Sequence, residues 1–187
     1  MEYGSNMQAF AIAFYYFSFN DAEKQKVCNF LRPLLAQLAA QNHRIIAKVE
    51  ALHNCYRQGN PPIDVLKATL RSALELQGEV FLLVDALDEC PSDGGVRQEL
   101  CATLVDFSSW GLSNLHILAT SRREPDIEES LSKISDMTAI SIQNNVVDTD
   151  VELHVKSQLA NDMKLKKWPS HIKEEIEVAL VKGANGM

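Results

Sequence analysis

Short, continuous apolar runs alternate along the chain with segments in which apolar residues recur every three or four positions. The short runs predict buried strands, and the periodic segments predict amphipathic helices. This alternation is typical of α/β folds that are built around a parallel sheet. We therefore predict a three-layer α/β fold in which helices flank a parallel sheet, with further helices at the C-terminal end.

Four apolar runs predict the strands of this sheet. They lie at about Phe10–Phe19, at Val80–Val84, at Leu115–Ala119 and, more weakly, at about Thr138–Ile142. In the first run, large apolar residues alternate with alanines, so that both faces of the strand are apolar. We expect such a strand to be covered by other elements on both faces.

Helical periodicity predicts the elements between and after the strands. Asn20 or Asp21 can cap the first helix. The apolar stripe of that helix contains Pro33, and a proline inside a helix predicts a kink or a restart. The other predicted helices lie at about 44–57, from Pro61-Pro62 onward, around Val96 and Leu100, at about 127–133, around Val155, and after Ser170.

Composition and charge exclude several classes of function. The 187 residues carry a formal net charge of -7, which disfavours binding to nucleic-acid phosphates. The apolar run that begins at Ala9 is too short to span a membrane. The four cysteines form no CxxC pair, so we expect reduced thiols in a cytoplasmic protein rather than a zinc site.

The clearest chemical signal follows the run at Val80–Val84. Three carboxylates come directly after it, from Asp85, Asp88 and Glu89. If the strand is parallel to its neighbours, they lie at the carboxyl edge of the sheet, where α/β proteins bind ligands. An acid there can hold Mg²⁺, and a second acid can orient or deprotonate a water. The alternative is that Asp85 only starts a turn or caps a helix.

Polar residues also follow the run at Leu115–Ala119. The chain continues there with the segment Thr120 to Arg123. In a parallel sheet this segment lies beside the acids, and Arg122 can present its guanidinium to a terminal phosphate. The alternative is that Arg122 and Arg123 are solvated cations of a surface loop.

Taken together, these segments resemble a known family. VDALDE, which begins at Val84, resembles the Walker B signature of NACHT-type STAND NTPases, and ATSRRE resembles their sensor-1 strand end. FYYFSFNDAEKQ, followed by LRPLLAQLA, resembles the strand and helix after the P-loop in fungal nephrocystin-3-like NACHT proteins. KGANGM resembles the stretch before the winged-helix region. The motifs occur in the family's order from about Ala9 onward.

The resemblance implies a P-loop NTPase-like core at residues 1–143 and a helical part at 144–187 that leads towards a winged helix. It implies that Asp85 binds Mg²⁺ through its water shell and that Arg122 senses the γ-phosphate. Glu89 is the first choice for the acid that positions the attacking water, and Asp88 is the other. Mg²⁺ with ATP or GTP is the implied cofactor of the complete domain, and full-length relatives are expected to self-associate or bind protein partners.

One part of the family's pattern does not occur in these residues. No G-x-x-x-x-G-K-[ST] loop is found, although that loop normally holds the phosphates. We therefore expect this chain not to bind or hydrolyse ATP alone. The first strand of the family is not found either, so the strands at 115–119 and 138–142 are expected to pair directly or to leave ladder groups unpaired. The chain is then a piece of a longer protein, a degenerate module, or one that completes its site with another polypeptide.

Three functional hypotheses remain open at this point. The first is a nucleotide-dependent switch segment that depends on Asp85, Asp88, Glu89 and Arg122. The second is an interaction or scaffold module without NTPase activity, which open sheet edges favour. The third, an unrelated α/β fold such as a small-molecule kinase fragment, also needs a phosphate loop and does not explain the order of the motifs.

Overall fold

A computed structural model describes residues 10–57, 59–142 and 145–184. The chain divides into two compact units, one that ends at Met137 and one that begins at Thr138. The first unit contains a parallel sheet with helices packed on it, and the second contains helices. The predicted α/β class is therefore confirmed. None of the helices in the described ranges is long and apolar enough to cross a membrane.

Three parallel strands form the sheet of the first unit. They are β1 (Phe10–Tyr16), β2 (Glu79–Asp85) and β3 (Leu115–Ala119), arranged in that order. In this register Tyr16 lies beside Asp85, so β1 and β2 end at the same level. Because the strands are parallel, their carboxyl ends form one edge of the sheet, which we call the carboxyl edge. The placement of β2 in the middle agrees with its unbroken apolar sequence.

Five helices accompany the strands in the described part of the first unit: α1 (Val27–Gln41), α2 (His43–Cys55), α3 (Ile63–Leu74), α4 (Val96–Ser109) and α5 (Pro125–Leu131). Helices were predicted at each of these places. The first begins later than predicted, because Asp21 accepts from the backbone N–H of Glu23 in a local turn instead of capping a helix. It then continues through Pro33 as one helix.

The second unit contains α6 (Asn145–Asn161) and α7 (Ser170–Ala184), joined through a short 3₁₀ turn at Leu165–Lys167. Both helices were predicted. The strand predicted at Thr138–Ile142 was wrong, because this segment has no regular structure and Ile140 is 83% exposed. A strand needs a neighbour for its backbone hydrogen bonds, and β-propensity alone does not supply one. Because this segment is not a strand, the alternative in which it pairs directly with β3 is also wrong.

Helices cover one face of the sheet. The alanines of β1 and alternate residues of β2 point into the core, where they pack with side chains of α1, α3 and α4. The opposite side, which we call the outer face, carries large apolar side chains that are 37% to 60% exposed. The expectation that β1 is covered on both sides is wrong for the described residues, because its alternate residues Ala11, Ala13 and Tyr15 face the helices and the large residues between them face outward. The outer face comprises Phe10, Ile12, Phe14, Tyr16, Phe81, Leu83 and Leu118.

The two edges of the sheet differ in how their backbone groups are satisfied. At the β1 edge, the Gln41 amide accepts from Ile12 N–H at 3.1 Å and donates to Ile12 C=O at 2.7 Å. Gln37 does the same for Phe14, at 3.0 and 2.9 Å. At the β3 edge, no residue of the described ranges bonds to the backbone of Ile117 outside its pairing with β2. One edge is thus closed by side chains and the other is open.

Candidate functional site

Asp85 ends the central strand, and its carboxylate is exposed at the carboxyl edge. The hydroxyl of Thr120, which directly follows β3, donates to Oδ1 of Asp85 at 2.5 Å. The same hydroxyl accepts from the backbone N–H of Ala86 at 3.0 Å. A short polar side chain after β3 therefore fixes both the acid and the first residue of the loop that follows it.

The chain turns sharply directly after Asp85. Ala86 has φ 58° and ψ 53°, and it is the one non-glycine residue with positive φ among the described residues. An L-residue in this left-handed region costs about 1–2 kcal/mol. The turn buries Leu87 in the core and sends the next two acids back to the carboxyl edge within a 3₁₀ turn at Leu87–Glu89. The backbone N–H of Leu87 bonds to Thr120 C=O at 3.0 Å, which again joins the two loops.

Asp88 faces the loop after β3. Its Oδ1 accepts from the backbone N–H of Arg122 at 3.0 Å, and its Oδ2 lies 3.5 Å from Nε of the same residue. The Asp88 side chain is 11% exposed, whereas the Arg122 side chain is 69% exposed. The main chain of Arg122 is therefore anchored while its guanidinium remains accessible.

Glu89 faces the end of the first strand instead. Its Oε2 accepts from the backbone N–H of Phe19 at 3.1 Å. No described residue bonds to Oε1, so one oxygen of this carboxylate has no protein partner there. The three acids thus have different surroundings although they are close in sequence.

Arg97, in the first turn of α4, lies beneath these loops and is only 7% exposed. Its Nη2 donates to Asp88 C=O at 2.8 Å and its Nε donates to Cys90 C=O at 2.7 Å. Its Nη1 contacts the carboxylate of Asp126, near the start of α5, at 3.2 Å. A planar guanidinium can bond to several acceptors at fixed angles, so one side chain holds the loop after β2 and the helix after β3 together.

The four residues predicted from the sequence therefore lie at one edge of the sheet. Asp85 and Arg122 are not in direct contact but are connected through Thr120 and Asp88. Sequence reasoning missed Arg97, although one signal was present. The buried residues Leu100, Cys101 and Leu104 follow Arg97 at helical spacing, so that a cation occupies an inward position of α4.

The thiol beside this site is held in its neutral form. Burial raises the pKa of Cys90 to about 11, against the smaller opposing effect of the nearby Arg97 charge. A thiol is nucleophilic only as the thiolate, so Cys90 is part of the core rather than a reactive group. Among the described residues, no three His, Cys, Asp or Glu side chains are grouped in a way that could hold a metal ion by themselves.

Fold and site together define a class: an α/β protein whose parallel strands present acids and an arginine at their carboxyl ends. A family model described as "Nephrocystin 3, N-terminal" matches residues 3–122, which is more than half of the 187-residue chain. The chain therefore belongs to the nephrocystin-3 N-terminal family. Searches of the curated proteins and of the solved structures gave no match.

Proposed function

We propose that the chain is a nucleotide-binding segment of a NACHT-type STAND NTPase, a signalling switch that changes state with ATP or GTP. The observation that supports this most is the position of Asp85 and Arg122. Two parallel strands deliver them to one edge of the sheet, and both side chains are exposed there. Ligands of open α/β sheets bind at this edge. Membership of the nephrocystin-3 N-terminal family agrees with the proposal.

The surroundings of Asp85 fit a magnesium ion that is shared with a nucleotide. Its Oδ1 accepts from Thr120, and no residue of the described ranges bonds to Oδ2. Mg²⁺ prefers oxygen ligands, keeps several waters and is often held by one or two carboxylates with substrate phosphates. A single exposed carboxylate suits that arrangement. When bound, the ion would neutralise charge on the phosphates.

The other site residues then have distinct proposed roles. Glu89 and Asp88 are the two candidates for the acid that orients or deprotonates the attacking water, and Glu89 is favoured. The exposed guanidinium of Arg122 would bind the γ-phosphate, for which its planar donor geometry is suited. In the proposed complete switch, protein partners or self-association would follow the nucleotide state, and neither nucleic acid nor a membrane would be a partner.

We expect the chain by itself to bind Mg-ATP very weakly and not to hydrolyse it, because no Gly-Lys-Ser or Gly-Lys-Thr occurs in its sequence. The test is calorimetry with Mg-ATP and Mg-GTP on this chain and on a longer polypeptide that carries any residues encoded upstream. Asp85→Ala should abolish the Mg²⁺-dependent part of binding in the longer polypeptide. Asp93→Ala, at an exposed acid of the following 3₁₀ turn, is the matched control. The proposal fails if the longer polypeptide binds neither nucleotide and Asp85→Ala has no effect.

A second candidate function is an interaction or scaffold module without NTPase activity. The exposed outer face and the open β3 edge favour it, because large apolar patches and free strand edges are typical of protein-binding surfaces. Size-exclusion chromatography with light scattering tests it. A stable monomer that recruits no partner counts against this function.

A further inference from the structure

We infer that Asp88 is a positioning residue for Arg122, that Arg97 holds Asp88 in place from the interior, and that neither acts on the attacking water. This inference rests on the proposed function, since it divides the roles among the residues of that site. It assigns a role to Arg97, a buried cation outside the predicted set, and it changes the role expected for Asp88.

The first argument is the orientation of the Asp88 carboxylate. Both of its oxygens face Arg122, one at 3.0 Å from the backbone nitrogen and the other at 3.5 Å from Nε. Both oxygens are therefore committed to Arg122, which leaves this carboxylate poorly placed to hold an attacking water. Glu89, by contrast, has one oxygen that no described residue contacts.

The second argument is the anchoring of Asp88 from below. Arg97 bonds to the carbonyl of Asp88 and to the carbonyl of Cys90, so the backbone on both sides of Glu89 is fixed. The same guanidinium contacts Asp126, which lies in α5, the helix after the segment that contains Arg122. The Asp88 side chain and Arg97 thus each join the loop after β2 to the segment after β3, in addition to the contacts of Thr120.

The third argument is the contrast between two neighbouring arginines. Arg122 has its backbone N–H bonded to Asp88, whereas the contact of Arg123 with the described residues is through its side chain, to Glu128, and that side chain is 79% exposed. Of these two arginines, Arg122 therefore combines a fixed main chain with an accessible guanidinium. An anchored backbone under an exposed cation limits the positions that the cation can reach, which is what a phosphate sensor needs.

Amide hydrogen exchange of this chain without nucleotide tests the inference. Asp88→Ala should speed exchange of the Arg122 amide about tenfold or more, because its acceptor is lost. Asp88→Asn keeps an acceptor oxygen and should change that rate by less than about threefold. The amides of Leu82 and Val84 in the central strand serve as the internal control, because general destabilisation would speed them too.

Arg97→Lys keeps the charge and loses the forked donor geometry, so it should also speed exchange at Arg122, about threefold or more. If the Arg97 variant does not fold, the exchange rate of the Arg122 amide in Asp88→Ala decides the inference. An Arg122 amide that exchanges at the wild-type rate in Asp88→Ala would overturn the inference. Equal acceleration at Leu82 and Val84 would overturn it as well, because it would reduce Asp88 to a stabilising residue.

Mg-ATP hydrolysis by site variants distinguishes an acid that positions Arg122 from an acid that acts on the attacking water. In the longer polypeptide, Asp88→Asn should restore most of the Mg-ATP hydrolysis that Asp88→Ala loses, whereas Glu89→Gln should lower it on the order of a hundredfold. An Asp88→Asn variant as inactive as Asp88→Ala would show that Asp88 acts on the proton. If the longer polypeptide hydrolyses no nucleotide, the proposed function is contradicted. The hydrogen-exchange result needs no nucleotide, so it then decides the positioning role by itself.

Discussion

The hydroxyl of Thr120 donates to Oδ1 of Asp85 at 2.5 Å and accepts from the backbone N–H of Ala86, the residue directly after Asp85. Two neighbouring strand ends are therefore joined by one side chain rather than only by the backbone ladder. This contact places the acid of β2 and the loop after β3 at a fixed separation, on which any shared ligand site depends.

Replacing Thr120 by valine keeps the shape of the side chain and removes the hydroxyl. The N–H of Ala86 then loses its acceptor and Asp85 loses a donor, so we expect the free energy of unfolding to fall by about 1 kcal/mol. Urea titration followed by circular dichroism measures the change. Thr120→Ser keeps the hydroxyl and should stay within about 0.5 kcal/mol of the wild type. Equal losses in both variants would contradict a role for the hydroxyl.

Because Ala86 has a left-handed backbone, we expect its replacement by glycine not to lower the free energy of unfolding. Ala86→Gly should leave the free energy of unfolding unchanged or raise it by up to about 1 kcal/mol, because glycine adopts this conformation without a Cβ clash. Ala86→Val should lower it by more than about 1 kcal/mol, since a β-branched residue tolerates positive φ poorly.

The matched control for this pair is Ala102→Gly on the exposed side of α4. Glycine inside a helix costs about 1 kcal/mol, so the sign there should be opposite. Thermal or urea unfolding of all three variants provides the comparison. A loss at Ala86→Gly as large as at Ala102→Gly would mean that the turn stores no strain.

The two glutamines that close the β1 edge predict a change in association. The double variant Gln37→Ala, Gln41→Ala exposes the backbone groups of Ile12 and Phe14, which can then pair with other chains. We expect faster growth of light scattering and of thioflavin T fluorescence at equal protein concentration. Gln98→Ala is the control, because Gln98 lies on α4 and its amide donates to Ser92 C=O rather than to a strand. Unchanged scattering in the double variant would show that the edge is protected in another way.

Tyr15 predicts a pH dependence of stability in the alkaline range. Burial, and after it the Asp21 carboxylate, raises the pKa of this phenol from 10.0 to about 12, and the hydroxyl donates to Lys24 C=O at 2.8 Å. The folded state therefore favours the protonated phenol. Its contribution to stability is complete below about pH 10 and is lost as the pH rises from about 10 to 12.

Denaturant titrations at several pH values between 9 and 12 test this expectation. Tyr15→Phe cannot ionise, so its stability should fall less steeply over that window, although it should be about 1 kcal/mol lower at neutral pH because the hydrogen bond is gone. Tyr56→Phe removes a phenol outside the core as the control. A wild type and a Tyr15→Phe variant with parallel pH curves would contradict the role of Tyr15.

The strands and the acids at their ends were accessible to sequence reasoning because their signals are local. Val80–Val84 is continuously apolar and is followed at once by Asp85, and the predicted Leu115–Ala119 matches β3 residue for residue. Parallel pairing then places both strand ends at the same edge without further information. The proposed roles of Asp85, Glu89 and Arg122 stay predictions.

The features that escaped sequence reasoning depend on contacts between distant residues. Arg97 is buried because three acceptors from two other segments converge on it, and no local pattern shows that convergence. The segment Thr138–Ile142 has the composition of a strand, but a strand also needs a hydrogen-bonded neighbour, which composition does not supply. The expectation that both faces of β1 are covered was also wrong, because an apolar side chain on each face does not show that another element packs on each face.

The exposed outer face affects how the thermal stability of this protein is best measured. Dyes that fluoresce on apolar surfaces, which usually report loosened or molten chains, should already bind the folded chain between the side chains of Phe14, Phe81 and Leu118. A dye-based melting curve would then start bright and could fall on heating. Melting temperatures for this chain are better taken from circular dichroism or intrinsic tryptophan emission.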